Sequence, residues 1–266
     1  MNFLRQSLGR IFNPFVGPIT GLGHYGIFVF ESLRWIVRPP FRMRVLIDEI
    51  EFIGNESLFI VALTSIFTGA VFAYQSWLAF DLVGTESLVG ASVGLALVRN
   101  LGPVMTSIVV AGRAGAAIAA QIGNMRVTEQ LDALEVMAIS PKQYLVLPKI
   151  LAGVICLPLL VGFFDLIGNL GGYVVAVYVC NIDKAIYVEK LKFFLAPWDF
   201  YHGIIKALFF GFTLTSIGCY KGFYCKDGAQ GVGRATNEAV VFSFVTILVM
   251  DYFLSIYIPT GIRTQG

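Results

Sequence analysis

Polar and charged side chains stand inside long apolar stretches of this chain: Gln75, Arg99, Asn100, Arg113, Gln121, Asp165, Lys206 and Asp251. An ionisable group in such a setting is costly unless it faces a cavity or a partner. The pattern lacks hydrolytic signatures: there is no H-E-x-x-H, no G-x-S-x-G and no G-x-x-x-x-G-K-[ST] phosphate loop. What these residues can do is bind. Arg99 and Asn100 precede Gly102-Pro103, where a helix should bend and free backbone groups, and a guanidinium beside an amide suits a polar headgroup. The competing reading is a structural ion pair or a snorkelling side chain, and it is the favoured one for Lys206. Phe67, Phe72, Tyr74, Trp77 and Phe80 just upstream would suit acyl chains, although such rows more often pack or face lipid.

A second constellation lies in Gly112–Met137, GRAGAAIAAQIGNMRVTEQLDALEVM. Its first half repeats small residues every four positions: Gly115, Ala119 and Gly123 in one row, Gly112, Ala116 and Ala120 in another. Such rows let membrane helices approach closely. In its second half Val127, Leu131, Leu134 and Ala138 fall on one helical stripe, away from Glu129, Asp132 and Glu135. Thr128 is the expected N-cap, Glu129 suits the positive end of the helix dipole, and Pro141 marks the stop. An acidic face is poorly matched to anionic headgroups, so a protein partner with a basic groove is the expected contact.

These residues need elements to hold them. The chain is 57% hydrophobic and 14% charged, with a mean hydropathy of +0.77 over 266 residues, which reads as an all-α integral membrane protein. Five stretches are apolar enough to span: about 56–80, 87–123, 145–179, 200–220 and 236–258. The second is too long for one simple span and contains Arg99, Pro103 and Arg113, which predicts a kinked or broken helix. Residues 1–45 mix aromatics with Arg5, Arg10, Arg34, Arg38, Arg42 and Arg44 and are broken by prolines, as in helices lying in the membrane interface. Residues 46–266 read as one domain. The basic N-terminus places it in the cytoplasm, with the C-terminus outside and the loops at 124–149 and 221–235 cytoplasmic. Cys156, Cys180, Cys219 and Cys225 form no C-x-x-C pair and only His24 and His202 accompany them, so no metal site is expected. No basic tract with interleaved aromatics suggests nucleic acid. A chain without a nucleotide site could still be powered by a separate subunit. Alternatives are an ion-coupled secondary transporter using Asp165, Asp251 and Arg99 as a relay, or a non-transporting scaffold.

The run LGPVMTSIVVAGRAGAAIAAQIGNMRVTEQLDALEVMAISPKQYLVLPKILAG, from Leu101, resembles the signature of the MlaE/YrbE permease family, and GVGRATNEAVVFSFVTILVMDYFL, from Gly231, resembles its last transmembrane helix. The similarity covers about residues 45–258. It implies the membrane subunit of a bacterial ABC transporter for glycerophospholipids in the inner membrane, homodimeric, with an N-terminal interfacial helix. It implies no cofactor in this chain, ATP and Mg being bound by a cytoplasmic ABC ATPase (MlaF-like). A periplasmic MCE-domain protein (MlaD-like) and a STAS-domain protein (MlaB-like) complete the implied partners. The resemblance places phospholipid at Phe72, Phe80, Val83, Arg99, Asn100 and Leu101. It places the ATPase on a coupling helix within Arg126–Ile139, through Glu129, Leu131, Asp132, Leu134, Glu135 and Met137. Two positions depart from the family pattern: Asn100 stands where R-E-L-G-P has an acid, and Gln121 replaces the Glu of A-A-E-[LI]-G.

Overall fold

The computed structural model describes residues 20–21, 23–35 and 42–258. Among these the regular structure is helical throughout. Helix α1 covers residues 23–34. It is followed by α2 (Met43–Asp81), α3 (Glu86–Val127), the short α4 (Gln130–Val136), α5 (Lys142–Tyr178), α6 (Lys184–Phe194), α7 (Pro197–Phe223) and α8 (Gly228–Tyr257). Helices α2, α3, α5, α7 and α8 are long and apolar enough to cross a membrane. Each is longer than its expected span. At 1.5 Å per residue the 42-residue α3 is about 63 Å long, twice a hydrocarbon core.

The second span, expected to be kinked or broken, is not broken. Instead α3 stays continuous and widens into π-helical turns at Leu97–Leu101 and Ala111–Gly115, each containing one of its arginines. A third wide turn, Glu51–Asn55, lets α2 continue through polar residues that would otherwise mark its start. Such turns insert one residue into the hydrogen-bond ladder and re-aim side chains without ending the helix.

Helix α5 lies at the centre, flanked by α2 and α7, while α8 packs on α7 and α3. Backbones meet where both residues are glycine. A Cβ on Gly69 would strike the Gly168 carbonyl, and one on Gly211 would strike the Gly153 carbonyl. The row Gly115, Ala119, Gly123 serves the same purpose: a Cβ on Gly218 would lie 3.0 Å from the Gly115 oxygen, and one on Gly222 2.7 Å from that of Ala119. The second row is less buried, with Gly112 exposed. Helix α1 docks on the end of α7: Phe28 is buried among Tyr220, Phe223 and Tyr224, Tyr25 Oη meets Ser216 Oγ at 2.5 Å, and Glu31 pairs with Lys142. The flanking residues 1–19 and 36–41, with Arg5, Arg10, Arg38 and the four prolines of the expected interfacial region, lie outside the described residues. Apolar faces of α2 (Phe59, Leu63, Phe67, Val71) and α8 (Val241, Val245, Leu248, Phe253) remain exposed on the protomer.

Candidate functional site

Pro103 has no N–H, so the Arg99 carbonyl four residues before it loses its helical donor. The sequence leaves that acceptor open to a headgroup. In the fold it is taken by Lys206, whose Nζ donates to Arg99 O at 3.1 Å, Asn100 Oδ1 at 2.6 Å, Asp251 Oδ1 at 2.8 Å and Ser255 Oγ at 2.8 Å. Lys206 is fully buried, so it does not snorkel. Helices α3, α7 and α8 are joined at this one ammonium. Arg99 turns the other way: Nε donates to Asp199 Oδ1 at 2.7 Å, while Asp199 Oδ2 accepts from Ala196 N at 2.9 Å and caps α7. Asp199, His202 and Lys206 share one face of α7 at i, i+3 and i+7, and all are buried.

A second cluster lies nearer the α4 end. Lys149, 1% exposed, donates to Glu49 Oε1 at 2.6 Å and Gln121 Oε1 at 2.8 Å. Arg113, in the second wide turn of α3, donates to Phe52 O at 2.8 Å and Ser57 Oγ at 2.7 Å and pairs with Glu56. Its guanidinium also sits over the Phe52 ring. Both cations therefore tie α3 and α5 to the first turns of α2. The acid missing at position 121 has a counterpart in Glu49. Glu49→Gln is expected to destabilise the protomer by about 3–5 kcal/mol by leaving Lys149 buried without a carboxylate. Glu49→Gln with Gln121→Glu returns a carboxylate to the same ammonium and should recover most of the loss, read as the melting temperature of detergent-solubilised protein. A double variant no more stable than the single one would contradict the exchange.

Helix α4 differs from its expected form. It is seven residues long, and Thr128 does not cap its start; Thr128 Oγ1 donates back to Asn124 O at the end of α3. Glu129 takes the left-handed conformation (φ 60°) and turns the chain between the helices. Of the expected stripe only Leu131 is buried, with Leu134 half-buried and Val127 and Ala138 exposed. Asp132 is held by Arg126 Nη1 at 2.6 Å, which fixes α4 to α3. Glu129, Glu135, Val136 (88% exposed) and Met137 (61%) face outward.

The residues expected to hold lipid fall into two groups. Phe72 and Phe80 pack half-buried against the core from α2, with Val83 exposed in the loop after it. Arg99, Asn100 and Leu101 form the wide turn of α3, Asn100 the most exposed. Gln75 is exposed on α2. Asp251 belongs to the Lys206 cluster, whereas Asp165 is buried against Gly102 and joins neither cluster. Lys149, Glu49 and Asp199 escape a reading by sequence because each stands near a span end and looks like a loop charge. The available signal was Lys149 itself, followed directly by an apolar run.

Residues 46–257 match the family described as Permease MlaE. A probable ABC transporter permease protein of Rickettsia conorii is 44% identical over 234 residues, covering 88% of this chain and 90% of that protein. The intermembrane phospholipid transport system permease protein MlaE of Haemophilus influenzae is 35% identical over 258 residues, covering 96% and 97%. The chloroplastic protein TRIGALACTOSYLDIACYLGLYCEROL 1 of Arabidopsis thaliana is 36% identical over 226 residues, covering 85% of this chain and 65% of that protein. With five long apolar helices and a family match over most of its length, this chain belongs to the MlaE permease family.

Proposed function

We propose that this chain is the permease subunit of an ABC transporter that moves glycerophospholipid between the bacterial inner membrane and a periplasmic MCE-domain carrier, maintaining outer-membrane lipid asymmetry. The observation that carries the reading is the near full-length match to a permease named for intermembrane phospholipid transport. The fold supports it in three ways. The exposed apolar faces of α2 and α8 suit a second protomer with lipid between, near Phe72, Phe80 and the Arg99–Leu101 turn. Helix α4, clamped to α3 through Asp132 and followed within a few residues by α5, joins two spans by short, ordered connections. A push on α4 then reaches the spans instead of dissipating in a linker. Its outward Glu129, Glu135, Val136 and Met137 offer an apolar and acidic handle to an ATPase that binds ATP and Mg. The positive-inside bias puts α4 and the N-terminus in the cytoplasm and the C-terminus in the periplasm. A STAS-domain protein would bind on the ATPase side. A relay of free charges is not favoured, since Asp251 is paired with Lys206 and Arg99 with Asp199.

The test is co-purification and transfer. Glu135→Lys with Val136→Asp should abolish recovery of the ATPase on the tagged permease while the permease still extracts and elutes as before. In proteoliposomes, transfer of a fluorescent phospholipid should need ATP, the ATPase and the MCE protein together. Normal ATPase recovery with the double variant would remove α4 as the docking element. Transfer driven by an ion gradient alone would remove the ABC reading.

A further inference from the structure

At the α4 end of the molecule a cavity of about 270 Å³ lies between the start of α2, the start of α5 and the 138–140 connection that joins α4 to α5. Its lining holds one charged side chain, Arg42, and no carboxylate. The Arg42 guanidinium lies over the Tyr144 ring, 4.6 Å from its centroid. Arg99, Arg113 and Arg126 are each paired with an acid, whereas Arg42 meets no carboxylate among the described residues. Stacking engages the face of a guanidinium and leaves its in-plane N–H fork for an anion. The Ser140 hydroxyl lines the same cavity and can add a donor. Leu46, Leu147 and Leu151 give the cavity an apolar wall. Neighbouring helices turn apolar side chains outward, Ile27 and Phe30 on α1 and Met43 and Ile47 on α2, which suits a membrane interface at this level of the molecule.

We propose that this cavity binds the phosphodiester of an anionic phospholipid of the phosphatidylglycerol type, drawn from the leaflet on the α4 side. Arg42 donates to the phosphate through its fork, Ser140 adds a hydroxyl donor, and the glycerol backbone with the first acyl carbons lies against Leu46, Leu147 and Leu151. A cation and an apolar wall share one small space, which calls for an amphipathic ligand; a free phosphate would leave the leucines uncovered. Ethanolamine and choline lipids carry the same phosphate but add a cation that Arg42 repels and that no lining carboxylate receives. Headgroup charge therefore decides occupancy. The site uses none of the residues near Phe72, Phe80 and the Arg99–Leu101 turn, and its occupancy requires neither an ATPase nor transport.

The full chain is reconstituted in phosphatidylcholine nanodiscs with a trace of phosphatidylglycerol or phosphatidylethanolamine, each carrying the same photoreactive group near the start of one acyl chain, and adducts are mapped by peptide mass spectrometry. The phosphatidylglycerol probe should label the 42–51 and 138–151 segments roughly tenfold more than the phosphatidylethanolamine probe, the factor one charge-assisted hydrogen bond can supply. Arg42→Gln should bring the two probes close to parity there. Arg44→Gln removes another exposed arginine, outside the cavity lining, and should keep the preference. Millimolar inorganic phosphate should leave the labelling unchanged. Equal labelling of the wild-type segments by both probes overturns the proposal, and that comparison needs no variant to fold. A loss of preference in Arg44→Gln as large as in Arg42→Gln assigns the effect to general surface charge, and displacement by inorganic phosphate assigns the cavity to a free anion; either result overturns the proposal as well.

Discussion

Lys206→Met lowers the stability of the protomer by about 3–5 kcal/mol, the usual cost of removing one partner of a buried ion pair. The ammonium is fully buried and shares its three N–H groups among four acceptors on two helices: Arg99 O and Asn100 Oδ1 of α3, Asp251 Oδ1 and Ser255 Oγ of α8. Methionine fills much of the same volume but donates nothing. The Asp251 carboxylate is then left without a cation, and the Arg99 carbonyl, already deprived of a helical donor by Pro103, is left open. Helix α8, little of which is buried on the protomer, should loosen first. The expected readout is a fall of roughly 10 °C in the melting temperature of the detergent-solubilised protein. Adding Asp251→Leu removes the stranded charge and should recover a large part of the loss, because an apolar pair can replace a buried ion pair at little cost. A single variant that melts with the wild type would show that the cluster is solvated and its geometry irrelevant to stability.

Gly153→Val prevents α5 and α7 from packing. A Cβ at position 153 would lie 3.0 Å from the Gly211 carbonyl oxygen and collide with the Thr215 side chain, and the reciprocal Cβ at Gly211 would strike the Gly153 carbonyl. Backbone oxygen cannot turn aside, so the helices must separate, and with α5 central the separation is felt by α2 as well. Even Gly153→Ala should cost about 1–3 kcal/mol, the range for overpacking a close-fitting interior. Gly162, on the same helix, has nothing within 4 Å of its would-be Cβ. Gly162→Ala should therefore be neutral or stabilising by up to about 1 kcal/mol through helix propensity. Yield of monodisperse protein after extraction separates the cases. A well-folded Gly153→Val protein would refute the close crossing.

Two of the three arginines of α3 show how function and scaffolding compete for the same side chains. Arg99 and Arg113 each occupy a wide turn, and each is spent on neighbouring helices: Arg99 on Asp199, Arg113 on Phe52 O, Ser57 and Glu56. Asn100 is the more available member of its turn. It keeps its amide nitrogen free for a headgroup while its oxygen accepts from Lys206. The substitution of an amide for an acid there therefore sits beside a cation already neutralised by Asp251.

Amino-acid sequence alone determined the class of this protein. Apolar stretches of sufficient length, with few charges, can only be membrane helices, because a bilayer offers their backbone no other partner. It also located the small-residue row at Gly115, Ala119 and Gly123 and the acidic segment after Arg126, since both are local periodicities. The tertiary structure decided what periodicity cannot carry. Whether Pro103 breaks α3 depended on a lysine 103 residues away supplying the missing donor, and whether Gln121 is a loss depended on Glu49 reaching the same ammonium. The short α4 owes its limits to the left-handed Glu129 and the Arg126–Asp132 pair, not to its apolar stripe. Charge pairing between distant helices is set by how their axes cross. That crossing follows from which glycines meet across an interface, a relation between positions that no single stretch of chain contains.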